Sequence, residues 1–187
     1  MKKIIISACV ALGLMATGTC DSSAQYIKNF YKQSYKERNN ETFSSNTGLL
    51  SAGLGIPYIY SGYSTSLPPI YLKFEMGIMD EVGIGFVGGL ALGRDKYFDE
   101  SYFATNLGLL GYYHFNKFVP IKNLDAYAGL GLGVEIANRS ASGDAKVRVI
   151  PLGKAGVRYY FKEGLGVYVE SGYDLLSSAN LGITLRF

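Results

Sequence analysis

Between Thr47 and Phe187 the chain alternates with a period of two residues, and that alternation admits few folds. In IYLKFEMGIM (70–79) one face carries Ile70, Leu72, Phe74, Met76 and Ile78, and the other Tyr71, Lys73, Glu75, Gly77 and Met79. LGVYVESGYD (165–174) sets Leu165, Val167 and Val169 against Gly166, Tyr168, Glu170, Gly172 and Asp174. VRVIPLGKAGVRYYF (147–161) sets Val147, Val149, Ala155, Val157, Tyr159 and Phe161 against Arg148, Lys154, Arg158 and Tyr160. Successive side chains of a strand point to opposite faces, so each stretch predicts a strand with one apolar and one polar face. The 24 Gly and 16 Tyr, with no Trp, fit twisted strands better than helices.

Eight such segments can be marked, at roughly 47–60, 69–79, 82–93, 102–115, 124–136, 147–161, 165–174 and 179–187. Their lengths are near the ~9–11 residues a tilted strand needs to cross a bilayer. Asp80-Glu81 and Lys162-Glu163-Gly164 are short connections, whereas SGYSTSLP, RDKYFDES and ANRSASGDA are longer. Short turns at one end and longer loops at the other is the asymmetry of outer-membrane barrels. Two connections run against it: NKFVPIKN (116–123) is long for its end and Leu175 to Ser178 is short for its end. The fold class predicted is all-β, an eight-stranded antiparallel up-and-down transmembrane β-barrel over 47–187.

A soluble barrel hides its apolar face inside, whereas a membrane barrel turns it outward. The strand charges decide between them, because they share one face: Lys73, Arg148, Lys154, Arg158 and Arg186 against Glu75, Asp125, Glu135, Glu170 and Asp174. The opposite face is a dense run of Tyr, Phe and Leu too bulky for a narrow interior. Tyr58, Tyr60, Tyr113, Phe115, Tyr159, Phe161 and Phe187 lie near strand ends, as interfacial girdles do. The charges are therefore expected inside. Five basic and five acidic residues balance, 5 − 5 = 0, and eight strands leave room only for side chains. An unpaired buried charge costs several kcal/mol, so the expectation is a salt-bridged plug. A selective pore would carry an excess of one sign. Gly83, Gly85, Gly89, Gly129, Gly131 and Gly133 are expected to make room for large partners opposite.

The chain opens with Lys2-Lys3 and an apolar run from Ile4 to Ala16, followed by Ser22-Ser23-Ala24. This reads as a secretory signal peptide over 1–24, with the mature chain starting at Gln25. Cys9 and Cys20 both lie inside it; Cys20 also raises a lipoprotein reading, against which Ala16-Thr17-Gly18-Thr19 lacks the usual large aliphatic. No thiol then remains for a disulfide or a cysteine-based metal site. Residues 25–46 form a polar leader, read as a periplasmic extension. Ile27, Tyr31 and Tyr35 recur at helical spacing there, so it is either a short amphipathic helix or a solvated extension.

Motifs for chemistry are few. Gly83-Ile84-Gly85-Phe86-Val87-Gly88 matches G-x-G-x-x-G, but period two continues through it and no helix start is predicted. The single histidine, His114, falls on the interior face and reads as a hydrogen-bonded interior or rim residue. No serine is placed as its nucleophile, so a lipid-modifying hydrolase is disfavoured. No catalytic, cofactor-binding or metal-binding residues are expected, and one histidine without cysteine is poor in transition-metal ligands. A net charge of +3 without a basic cluster gives no case for nucleic acid.

LDAYAGLGLGVEI (124–136), GKAGVRYYF (153–161) and the ending LGITLRF (181–187) resemble the small OmpA/OmpX-like outer-membrane β-barrel proteins. The resemblance covers about 47–187 and implies a Gram-negative outer membrane with both termini periplasmic. The partners expected are outer-membrane lipid or lipopolysaccharide and the barrel-assembly machinery during biogenesis, with a further protein partner left open. No peptidoglycan-binding domain is expected after the barrel, and long protruding strands like those of some members are not evident. In SANLGITLRF (178–187), Ala179, Leu181, Ile183, Leu185 and Phe187 are expected to face lipid while Asn180, Thr184 and Arg186 face inward. Such a strand must pair with the first to remove the sheet's edges. Ile183, Leu185 and the terminal Phe187 resemble the signal read by the assembly machinery. The function expected is a non-enzymatic barrel with a charge-balanced interior, supporting membrane integrity or surface interactions. The alternatives are a narrow solute pore, an anchored subunit of a secretion or assembly machine, and a lipid-modifying enzyme.

Overall fold

A computed structural model describes residues 42–57, 63–95, 101–119, 121–139 and 145–187. The signal peptide, the leader up to residue 41, and Tyr58 and Tyr60 of the expected girdle lie outside the described residues. Eight strands follow one another: β1 (Gly48–Pro57), β2 (Tyr63–Met79), β3 (Val82–Asp95), β4 (Ser101–His114), β5 (Leu124–Arg139), β6 (Ala145–Lys162), β7 (Leu165–Tyr173) and β8 (Ser177–Arg186). Each pairs antiparallel with its neighbours, and β8 returns to β1 to close the barrel. The seam runs from Leu49↔Arg186 to Ile56↔Ala179, and Gly48 and Phe187 exchange backbone hydrogen bonds of 2.8 and 2.9 Å beyond it. Closure satisfies every strand edge along the seam, which a hydrocarbon environment requires. Among the described residues no helix is long and apolar enough to cross a membrane.

The alternation translates directly into inside and outside. Leu130, Leu132, Val149, Val169, Leu181, Ile183 and Phe187 point outward and are exposed, whereas Lys73, Glu75, Asp125, Lys154, Arg158 and Glu170 are buried. This is the inverse of a soluble protein and the pattern of a barrel solvated by lipid. Tyr113, Tyr159, Phe161 and Phe187 are exposed at the short-turn end, where Tyr113 also packs edge-on to Phe115. The G-x-G-x-x-G match lies wholly within β3, whose strand runs on to Asp95 without a helix.

One expectation is corrected: protruding strands are present. β2 and β6 have 17 and 18 residues, while β7 has only 9. The β1–β2 register ends at Leu54↔Ile70 and the β6–β7 register at Gly153↔Tyr173. Residues 145–152 of β6 therefore rise above β7 by about 26 Å of strand, at ~3.3 Å per residue. The wall is tall over β2–β6 and low over β7, β8 and β1. Pro68 and Pro69 hid the extension of β2 in the sequence. They stand where β2 leaves β1, and Pro151 stands near where β6 leaves β7. Proline lacks the ladder donor and reads as a strand breaker, yet it is tolerated on an edge and blunts that edge against foreign strands.

The connection that looked too short for its end, Leu175 to Ser178, turns into the barrel. Asp174 Oδ1 accepts from the backbone N–H of Leu176 at 2.8 Å and of Ser177 at 2.9 Å, which folds the turn on its own side chain. Leu175 takes a positive φ of 68° to complete it. Leu176 is thereby buried in a cluster with Tyr71, Val87, Ala91, Ala104, Ile150 and Leu152 on the inner face of the tall wall.

Candidate functional site

The interior below Leu176 is where polar side chains converge. Strand parity brings them there: odd positions of β2 and β5, and even positions of β4, β6 and β7, point to the axis. Two ion clusters result. In the lower one, nearest the short turns, Arg158 donates from Nη1 to Asp125 Oδ2 at 3.0 Å and from Nη2 to Glu75 Oε2 at 2.7 Å. The second oxygens of the same carboxylates take the two nitrogens of His114: Asp125 Oδ1 lies 2.8 Å from Nδ1 and Glu75 Oε1 2.6 Å from Nε2. Arg158, Asp125, His114 and Glu75 thus form a closed ring. Ionised carboxylates only accept, so both imidazole nitrogens donate in this arrangement.

In the upper cluster Glu170 Oε2 accepts from Lys73 Nζ and from the Tyr127 hydroxyl, each at 2.8 Å. Lys154 is ion-paired to Asp174 and lies 3.8 Å from Glu170 Oε1. Tyr127 joins the clusters, because its ring also carries the Arg158 guanidinium 3.8 Å from the centroid. Lys73 sits over Tyr168 at 3.7 Å. Around them Tyr71 and Ser177 share a 2.7 Å hydroxyl pair, and Asn106 Nδ2 donates to the Asp174 carbonyl at 2.9 Å. With His114 doubly protonated, Lys73, Lys154, Arg158 and His114 face Glu75, Asp125, Glu170 and Asp174, and the sum is 4 − 4 = 0.

Of the ten charged residues marked in the sequence, these seven strand and turn residues meet in the two clusters. Glu135 and Arg148 do not join them; they pair across β5 and β6 higher on the tall wall, where the Arg148 side chain is 61% exposed. Arg186 lies at the lower mouth, donating to the Thr42 carbonyl at 3.0 Å with its guanidinium 4.6 Å from the Tyr160 ring centroid. Ile183 and Leu185 line the outer face of β8, and Phe187, one residue beyond the strand, is exposed as well. Interior glycines do make space: a side-chain carbon at Gly85 or Gly129 would fall 2.7 and 2.6 Å from the Tyr112 ring, which fills the gap between them.

His114 is the hydrogen-bonded interior residue that its parity predicts, and the structure joins it to the ion network as well. Phe43 carried no signal in the sequence. It belongs to the polar leader, yet it is buried and lies flat on His114, with ring centroids 3.5 Å apart and planes 9° from parallel. It is buried at the short-turn end of the lower cluster, as Leu176 is buried at the upper end.

Chemically, the ring of four shares its facing oxygens and nitrogens among its own members, while Arg158 Nε is buried outside those bonds. Glu75, His114 and Asp125 are ligand types, but their facing atoms are already shared with one another and Arg158. No group of three or more side chains able to hold a metal ion occurs among the described residues. Both nitrogens of His114 are occupied by carboxylates, leaving neither to take a proton from a nucleophile.

No family model matches the sequence, nor does any curated protein. Solved structures do match in fold. The outer membrane protein OprG of Pseudomonas aeruginosa superimposes with a TM-score of 0.56 at 11% identity, covering 80% of this chain and 99% of that one. The N-terminal β-barrel domain of OprF, from the same organism, gives 0.51 at 18% identity, covering 77% and 98%. The chain has the fold of the small eight-stranded outer-membrane β-barrels.

Proposed function

We propose that this protein is a non-conducting, non-enzymatic barrel of a bacterial outer membrane, with its short turns in the periplasm and its tall β2–β6 wall outside the cell. The observation that carries the reading is the ion-paired interior closed by Phe43 below and Leu176 above. Seven charged side chains and His114 meet with zero net charge in a space too narrow for a water column, and separating them costs several kcal/mol per ion. An interior arranged so serves the wall rather than a permeant. The barrel's work then lies on its surfaces: outward toward lipid and lipopolysaccharide, and above the membrane at the tall wall, where the β6 stretch that rises past β7 offers a protein-binding face. The signal peptide, with maturation at Gln25, and the Phe187-terminated last strand serve export and delivery to the assembly machinery.

Efflux from liposomes tests the reading. Vesicles carrying the refolded protein should retain potassium and small sugars as long as protein-free vesicles do. Release that scales with protein content contradicts it. Pull-down from intact outer membranes then separates a role in wall integrity from a role in a larger assembly.

A further inference from the structure

We infer that residues 42–47 form a pH-sensitive latch over the short-turn mouth, held shut by the doubly protonated form of His114. The segment is a strap pinned at several points. Thr47 accepts from the Gly77 N–H of β2 at 2.9 Å, and Thr42 accepts from Arg186 of β8 at 3.0 Å. Ser44 and Thr47 close a turn between these pins, with Ser44 N–H donating to Thr47 Oγ1 at 2.9 Å and Thr47 N–H to the Ser44 carbonyl at 3.0 Å. The Ser44 carbonyl lies so close to Gly77 that a side-chain carbon there would collide with it. Phe43 hangs inward from this strap, and its seat is the face of His114.

That seat depends on charge. An imidazolium attracts an aromatic face more strongly than a neutral ring does. It also donates from both nitrogens to Glu75 and Asp125. Removing one proton turns a lone pair toward a carboxylate oxygen at 2.6 or 2.8 Å, and the ring must move. The groups facing His114 are Glu75 on β2, Asp125 and Tyr127 on β5, and Arg158 on β6. On the β3 side Gly83 lies against Phe43 and Glu75, and the Glu81 carbonyl accepts from the His114 backbone N–H at 2.8 Å. At the strap's other end are Tyr160 on β6 and Arg186 on β8. Arg158 keeps its charge throughout, so the carboxylates stay ionised when His114 loses its proton. The latch therefore opens on the alkaline side.

The chain contains no tryptophan, so Phe43→Trp places a single reporter on the latch. In full-length protein folded in phosphatidylcholine vesicles, its emission should be shielded from acrylamide at neutral pH. Quenching should rise several-fold as pH increases, while circular dichroism shows the barrel intact. In the His114→Gln background the reporter should be accessible throughout, with no titration. The same alkaline transition in both proteins, or none in either, overturns the proposal. Hydrogen exchange in the unsubstituted protein gives a second reading should tryptophan fail to seat. The Gly77 amide, which donates to the strap, should lose protection above the transition while the mid-strand amide of Leu130 keeps its own. Equal behaviour of the two amides overturns the latch.

Discussion

Lys73 Nζ and Glu170 Oε2 lie 2.8 Å apart in the middle of the barrel, with side chains 5% and 0% exposed. They come from β2 and β7, two strands that are not neighbours in the sheet, so the pair spans the interior instead of following the wall. Lys73→Met leaves Glu170 short of its nearest cation and should destabilise the folded barrel by about 3 kcal/mol, the lower part of the range for a broken buried pair, since Lys154 remains nearby. Lys73→Met combined with Glu170→Gln should recover a large part of that loss. Urea unfolding in lipid vesicles measures both. A loss below about 1 kcal/mol is the behaviour of a hydrated, surface-like pair and argues against a dry interior.

Tyr112 occupies the space left by two glycines on the strands either side of it. Gly129→Ala should cost about 1–3 kcal/mol through overpacking against that ring. The same substitution in a Tyr112→Ala background should cost much less, because the ring it strikes is gone. Equal costs in both backgrounds in the same unfolding assay contradict the wedge.

The seam ends on the paired backbone of Gly48 and Phe187, with the Phe187 ring exposed on the outer face. Deleting Phe187 removes the final hydrogen-bonded pair and the terminal aromatic together. Outer-membrane levels of the deletion should fall well below those of the full chain in fractionated cells. Normal levels contradict an insertion role.

Closure of all eight strands leaves no free edge along the membrane-spanning band for detergent to open. The folded protein should migrate faster than the boiled protein on SDS gels. A single unshifted band contradicts a closed barrel.

Much of this was legible because lipid imposes a strict rule: outward apolar, inward polar, at period two. That rule marked Lys73, Glu75, Asp125, Lys154, Arg158 and Glu170 as interior residues without any knowledge of their partners. What it could not convey was height around the barrel. Glu135 and Arg148 obey the same parity as Asp125 and Arg158 but sit above the closed interior, because β5 and β6 continue past their neighbours. Pro68 and Pro69 obscured the overhang of β2, since an edge proline and a strand-ending proline look alike in sequence. Phe43 was illegible for another reason. Its partner His114 is 71 positions away, and no periodicity links a single aromatic in a polar leader to the mouth it fills. The turn at Asp174 looked like an anomaly of loop length until its side chain was seen capping it.

A paired interior of this kind should carry no current. Single-channel recording of the refolded protein in planar bilayers measures this. No resolved steps are expected at neutral pH, and steps only when both Lys73 and Arg158 are replaced by alanine. Regular conductance steps from the unsubstituted protein, with amplitude rising in proportion to salt concentration, contradict it.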